Sequence, residues 1–263
     1  MQTGISTASL FVRYTTEDAL RYLAENKIKT AEIFLSTYCE YSKEFGKILK
    51  SVQGETDVHS IHVLNTQFEP QLYSIGERAN RDAFLMLDQA LQAGKEVGAK
   101  YYTFHGVARL KKTPLNMDFE RIGRITQKII DKCKEYNITL SYENVHWAYY
   151  NYIGFFSELK KRVSGLTGTL DIKQARQSGI HYSEFIKEMN SDIVTVHVSD
   201  VDENGKMCLP GRGVTDFNDL FSRLKDVGFD GAVLLEVYKN DYDNPSELIT
   251  SLDFINEVAD KVF

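Results

Sequence analysis

The sequence predicts an α/β fold, a (β/α)8 (TIM) barrel formed by residues 1–263 as a single domain. Three observations carry this expectation. Short β-branched or aromatic runs alternate with longer amphipathic segments from end to end, and counting them gives eight of each. No Gly/Ser linker, low-complexity tract or change of composition marks a domain boundary. Ligand-type side chains recur near the ends of four successive strand patterns: Glu143 in TLSYEN, Asp171 in GTLDIK, His197 in IVTVHVSD and Glu236 in GAVLLEVY. Eight strand–helix repeats imply a parallel sheet with crossover helices, and eight units close naturally into a barrel. An open doubly wound sheet is the alternative. It would normally carry a Gly-rich phosphate turn after an early strand, and neither G-x-G-x-x-G nor G-x-x-x-x-G-K-[ST] occurs.

The strands are expected at Gly4 to Ala8, Ala31 to Ser36, Val58 to Leu64, Lys100 to His105, Ile138 to Glu143, Thr167 to Asp171, Ile193 to His197 and Ala232 to Val237. Each is followed by a helix candidate. Thr16 with Glu17 and Asp18 opens the first, the long third runs from Ser74 to Val97, and the fourth from Asp118 to Tyr136 with acidic residues at its start. Asp216 reads as an N-cap for Phe217 to Val227, closed by Gly228, and the last helix spans about Pro245 to Val262.

Alternate side chains of a barrel strand point inward and outward, which gives an independent check. On strand five Leu140 and Tyr142 form the apolar outer phase, while Thr139, Ser141 and Glu143 share the inner one. Strand six sets Leu170 and Ile172 opposite Thr169 and Asp171. Val194, Val196 and Val198 flank Thr195 and His197 on strand seven, and Val233, Leu235 and Val237 alternate with Glu236 on strand eight. All four candidates thus point inward at the C-terminal mouth, where barrel enzymes place their chemistry. Three carboxylates and one imidazole are a hard, mostly oxygen ligand set suited to one divalent ion such as Mn²⁺, Mg²⁺, Co²⁺ or Zn²⁺. His62 on strand three and His105 at the end of strand four obey the same inward rule. His59 falls in the outward phase and His181 precedes a helix, so both read as structural. His146 is left open, and Glu32, inward but deep, reads as a charge partner within the barrel.

Composition bounds the function. The chain has 43% hydrophobic residues and four prolines, enough for one large core. A net charge of −6 with no basic block disfavours nucleic acid as a partner. Cys39, Cys133 and Cys208 are odd in number and far apart, which suggests reduced thiols rather than a disulfide framework or a cysteine zinc site. No apolar run approaches the roughly 20 residues needed to span a bilayer, and MQTGISTASL lacks a basic segment followed by an apolar stretch. A soluble, cytoplasmic protein with no membrane partner is expected.

Strand-end Glu143, Asp171, His197 and Glu236, with the ENV of strand five, the HVSD of strand seven and PGRGVTDF before the seventh helix, resemble the xylose-isomerase-like TIM-barrel superfamily. The resemblance spans almost the whole chain. That superfamily contains sugar isomerases and epimerases, inosose dehydratases, hydroxypyruvate isomerases and zinc-dependent AP endonucleases. In its sugar-acting branch the residues matching Glu143, Asp171, His197 and Glu236 bind one divalent metal, and the two glutamates also move protons. In the endonuclease branch His62, His105, Glu143, Asp171, His197 and Glu236 all match ligands of a trinuclear zinc site. Three further ligands are missing: Gln174 stands where an imidazole is required, and VDENGKMCLP supplies no Asp-x-His pair. The sugar branch is matched imperfectly too. Its ketose 3-epimerases usually continue from the strand-five glutamate into Asn-Arg, where this chain reads ENVHWAYYNY, and Gln174 replaces a substrate-contacting His of several such enzymes.

The resemblance implies a metal-dependent isomerase or epimerase of a sugar or sugar phosphate, with an AP-endonuclease-like zinc hydrolase, or a dehydratase of a polyol or inosose, as alternatives. A catalytically silent, sugar-binding barrel is a third class, disfavoured by the two glutamates. Isomerisation beside a carbonyl requires removal of a C–H proton, stabilisation of an enediolate oxygen, and return of a proton. Glu143 and Glu236 are expected as general base and acid, Asp171 mainly as a ligand, and His197 as a ligand through a neutral ring nitrogen whose mate is oriented by a second acceptor. His62, His105, Gln174, Trp147 and Arg212 are the substrate-binding candidates. For His62 and His105 the alternative is a buried imidazole bonded to backbone, and for Arg212 a solvated loop arginine. Trp147, Tyr149 and Tyr150 suit an apolar wall that excludes water, or else a contact between copies in a homo-oligomer.

Overall fold

The computed structural model describes residues 1–108 and 117–263. Eight parallel strands close into a barrel: β1 (Gln2–Ser6), β2 (Thr30–Leu35), β3 (Asp57–Val63), β4 (Tyr101–Phe104), β5 (Thr139–Glu143), β6 (Thr167–Asp171), β7 (Ile193–Val198) and, after a small antiparallel pair β8 (Asp200–Val201) and β9 (Met207–Cys208), β10 (Ala232–Leu235). β1 closes the ring by pairing with β10 on one side and β2 on the other. The helices are α1 (Thr16–Glu25), α2 (Lys43–Val52), α3 (Glu69–Leu72), α4 (Glu77–Val97), α5 (Phe119–Lys134), α6 (Phe155–Lys160), α7 (Ile172–Gln177), α8 (Tyr182–Met189), α9 (Phe217–Asp226) and α10 (Ser246–Val262). The strand–helix alternation read from sequence is therefore the architecture. Among the described residues no helix is long and apolar enough to cross a membrane.

Among the described residues the eight strand–helix units carry ten α-helices, because the third and sixth have two each. The helix expected from Ser74 begins at Glu77, and Pro70 starts a separate turn at α3, where a missing N–H costs nothing. Asp216 caps α9 as the sequence placed it, accepting from Asp219 N, while Asp118, expected as the first residue of its helix, is the cap of α5 and accepts from Arg121 N, and α1 is capped by Thr15 rather than opened by Thr16. The first strand lies two residues earlier than expected. Ser6 ends it by accepting from Ala8 N, which turns Thr7 to Leu10 into a 3-10 helix.

Outward residues such as Leu140, Tyr142, Val196 and Leu235 are fully buried against the helix ring. Packing there is close: a Cβ on Gly94 of α4 would meet Ile61 Cδ1 of β3 at 2.6 Å, so any larger residue there would have to displace that side chain. Inside the barrel the layers are polar. Ser6, Ser60 and Thr103 all donate to Glu32, and Ser141 is bonded to Thr169. His59 joins this interior, contrary to the outward phase assigned from sequence. β3 carries a bulge between its partners for Ala31 and Glu32, so His59 is an extra residue and the period-two alternation breaks there. Its Nε2 lies 2.9 Å from Thr195 Oγ1 on β7, across the barrel, and its ring packs on Tyr101.

Candidate metal centre and active site

The barrel brings the strand-end residues together at one mouth. Glu143 closes β5, Asp171 closes β6, His197 is the penultimate residue of β7, and Glu236 follows β10, its N–H bonded to Val198 O at 2.9 Å. His197 is the hub. Its Nδ1 is hydrogen-bonded to Glu143 Oε1 at 3.1 Å and lies 3.2 Å from Glu236 Oε2. The other ring nitrogen, Nε2, lies 3.0 Å from Glu32 Oε1, off the axis of a good hydrogen bond but close enough for strong attraction. Glu32 is thus the charge partner that faces this second ring nitrogen. Ligand-type atoms of Glu143, Asp171 and His197 all lie within 4.8 Å of one another, as do those of Glu32, His62 and Glu236. Mutual distance groups Glu236 with the second set, and its contact to His197 joins the two.

The donor set fits a divalent cation. Glu236 Oε2 is buried with no hydrogen-bond partner, a lone pair aimed at the same space as Glu143 Oε1 and His197 Nδ1. Asp171 faces both ways: as the cap of α7 its Oδ1 accepts Gln174 N at 2.8 Å, leaving Oδ2 for another partner. Oxygen-rich sets with one imidazole suit Mn²⁺, Mg²⁺, Co²⁺ or Zn²⁺.

Electrostatics here are those of buried acids packed on imidazoles. Burial alone would discharge Glu32, yet His197 and His62 beside it hold its carboxyl well below the usual range. Burial likewise opposes charge on His197, and is outweighed by Glu236 and Glu32, which push the imidazole well above its ordinary value. Asp171 is pushed up to about 6, chiefly by burial, with Glu143 and Glu236 adding to it and Lys173 opposing. Burial opposes ionisation of Glu236 as well, but His197 and Lys173 keep its carboxyl low.

A cavity of about 380 Å³ opens above these groups, lined among others by His62, His105, Glu143, Trp147, Gln174 and Glu236. Both mouth histidines hang from buried carboxylates, not from backbone carbonyls. His62 Nδ1 is 2.6 Å from Glu32 Oε1, and His105 Nδ1 is 3.1 Å from Glu69 Oε2. Each is left with Nε2 for a ligand, that of His105 lying 3.3 Å from Glu143 Oε2. Burial disfavours the cationic form of His105, but Glu69 pushes it up to about 9. Gln174 accepts from His146, whose Nδ1 lies 2.5 Å from Gln174 Oε1; Gln174 lines the cavity and His146 is not among its lining residues.

Some expected residues do not meet here. Arg212 is not among the residues lining the cavity; it is half exposed and ion-paired with Glu247. Of the aromatic loop only Trp147 reaches the wall, because Tyr150 is fully buried beneath it. Phe11, Phe34 and Tyr238 join Trp147 in the aromatic part of the lining. Phe34 shares the inward parity of Glu32, so alternation could have found it, whereas Phe11 lies in an irregular loop with no local signal. Glu69 was also missed. It is fully buried on the four-residue helix α3 and accepts from Asn65 Nδ2, Tyr102 OH and His105 N. A larger cleft of about 640 Å³ lies beside the mouth between α7, α8 and α9, but its acids are spent: Asp200 accepts four backbone N–H groups, and Asp219 pairs with Arg223.

The family model described as xylose isomerase-like TIM barrel matches residues 20–258. No curated protein sequence matches the chain. Among solved structures, a D-tagatose 3-epimerase-like protein is similar with a TM-score of 0.79 at 19% identity, covering 100% of this chain and 98% of its own. D-psicose 3-epimerase with D-tagatose, from Clostridium cellulolyticum H10, gives 0.77 at 16% identity over 98% and 99% of the two chains. IOLI protein with a binding zinc atom gives 0.77 at 14% identity over 100% and 99%. At these identities the likeness to solved structures establishes a shared fold, and several of the neighbours are sugar epimerases. The match of the family model over most of the sequence goes further: the chain belongs to the xylose isomerase-like TIM barrel family.

Proposed function

We propose that this protein is a divalent-metal-dependent isomerase or epimerase of a sugar or sugar phosphate, working by proton transfer beside a carbonyl. One observation carries the reading: Glu143 and Glu236 reach the same nitrogen of His197, at 3.1 and 3.2 Å, on the floor of a cavity walled by aromatic side chains. Sugar epimerases among the structural neighbours support it. Glu143, Asp171, His197 and Glu236 would hold the ion, which when bound polarises the substrate carbonyl and offsets charge developing on its oxygen. One glutamate removes the proton from the carbon next to the carbonyl, and the electron pair moves onto oxygen to give an enediolate. A proton returned by the other glutamate to the opposite face epimerises that carbon, while return to the neighbouring carbon, with the hydroxyl proton passing to the other enediolate oxygen, exchanges aldose and ketose. His62 and His105, fixed by Glu32 and Glu69, are placed to hold substrate hydroxyls, and Phe34 and Trp147 exclude water.

The nuclease alternative gains nothing. Gln174 is committed to His146, and Asp200 to backbone amides. Ketoses and aldoses, free and phosphorylated, incubated in D₂O with Mn²⁺ should include one that acquires deuterium at the reacting carbon. Glu143→Gln and Glu236→Gln should still bind that sugar but lose at least a hundredfold in turnover, since an amide cannot serve as a base. Near-normal turnover in both variants with the hydrogen retained would rule out the two-glutamate mechanism. Metal-dependent nicking of abasic duplex DNA, lost in Glu143→Gln, would overturn the class.

A further inference from the structure

Lys173 has no place in the chemistry above, yet it is the only buried lysine or arginine among the described residues. Its Nζ lies 3.7 Å from Asp171 Oδ2 and 3.7 Å from Glu236 Oε1, with no hydrogen-bond partner, and sits 4.2 Å from the centre of the Tyr238 ring. Those two oxygens are the ones turned away from the other partners, since Asp171 Oδ1 accepts Gln174 N and Glu236 Oε2 faces His197. A lysine on a helix normally keeps its ammonium in water, as its neighbour Arg176 is exposed one turn on, and burying the charge costs heavily without nearby anions. Here the anions are two of the candidate ligands. The surrounding charge explains why a cation is tolerated: Asp171 and Glu143 are buried nearby, and Glu236 is nearly so.

We propose that Lys173 is a built-in cation of the centre, a positioning residue that draws Asp171 and Glu236 together and sets how tightly the site takes a divalent ion. The inference rests on the metal-dependent reading above. An ammonium beside two ligands acts in two opposed ways: it orders their oxygens before the ion arrives, and it repels the ion itself. Attraction to each carboxylate falls only inversely with distance and is enlarged in a low-dielectric interior, and the repulsion of a doubly charged ion follows the same law. With Nζ 3.7 Å from each carboxylate and no hydrogen bond to fix either, the repulsion is the larger effect, so removing the charge while keeping the bulk strengthens ion binding and weakens the ion-free protein. A lysine whose ordering of the ligands outweighed its repulsion would give the reverse sign.

The test is a titration of Mn²⁺ into EDTA-stripped, full-length wild type, Lys173→Met and Lys173→Arg, read by calorimetry and by the EPR signal of free Mn²⁺. Lys173→Met should bind at least tenfold more tightly than wild type, and Lys173→Arg within threefold of it. Melting gives a second readout: Lys173→Met should have a lower Tm without metal and a larger Mn²⁺-induced rise. Equal or weaker binding by Lys173→Met, with normal binding by wild type, overturns the proposal and leaves the metal reading intact. No binding by any of the three overturns both. If Lys173→Met does not fold, Lys173→Gln is judged by the same criterion, because it keeps a donor and loses the charge.

Discussion

At the scale of the residue, the barrel interior turns on how each buried imidazole is paired. His62, His105 and His197 each face a carboxylate, whereas His59 faces Thr195 and Tyr101. Burial therefore dominates at His59 and depresses it to about 4, with Glu32 only partly offsetting this. The unfolded chain holds the same proton with a pKa of about 6.5, so the folded state prefers the neutral ring. Its contribution to stability is fully present above pH 6.5 and is lost as pH falls toward 4. Between pH 7 and 5 this single group should remove on the order of 2 kcal/mol. Urea unfolding of wild type and His59→Gln at both pH values checks it: the variant should lose less on acidification, and an equal loss would show that His59 does not titrate in this way. The inward histidines at the mouth were legible from strand parity. His59 was not, because a bulge is a tertiary choice of register that leaves no mark on alternation.

At the scale of the element, the segment between β7 and α9 is organised by one side chain. Asp200 accepts from Val201 N, Gly211 N, Gly213 N and Thr215 N, at 2.8 to 3.1 Å. A Cβ on Gly213 would fall 2.2 Å from Val201 O and 2.5 Å from Asp200 Oδ1, so the loop closes on its anchor only with glycine there. This explains the PGRG sequence as architecture: Arg212 is carried outward to Glu247 by a turn whose backbone amides face Asp200. Asp200→Ala strands several amides at once, each worth roughly 1–3 kcal/mol where it stays dry. A loss of at least about 3 kcal/mol in denaturant unfolding, with new proteolytic cleavage between residues 202 and 214, is the expected outcome; unchanged unfolding would mean that the loop is held elsewhere.

For the whole molecule, ring closure concentrates acidic groups that are far apart in sequence. Glu32, Glu69, Glu143, Asp171 and Glu236 come from five different strand–helix units; Glu143 and Glu236 line the cavity, and Glu32 and Glu69 reach it through His62 and His105. An ion that binds only the closed barrel must stabilise it by mass action, by about 2.7 kcal/mol at a hundred times Kd. For a domain of this size that corresponds to a rise in Tm of roughly 5–10 °C. Mn²⁺ added to EDTA-treated protein should produce such a concentration-dependent rise, and Asp171→Ala should abolish it. The same rise in both proteins would place the ion outside the proposed ligand set.

The sequence by itself determined the strand–helix alternation, the closed barrel, and the meeting of Glu143, Asp171, His197 and Glu236 at one end, because period-two parity and strand polarity are local properties that closure converts into proximity. The helix cap at Asp216 was legible for the same reason, since it acts on a neighbour three residues on. Only the tertiary structure decided which carboxylate holds which imidazole, that Glu69 on a four-residue helix serves His105, that Phe11 and Phe34 complete the wall, and that Lys173 turns inward while Arg212 turns out. Those outcomes depend on contacts between crossovers, such as the 30 residues separating His62 from Glu32 and the 36 separating His105 from Glu69. No periodicity within a single strand encodes which distant loop will supply the opposite charge.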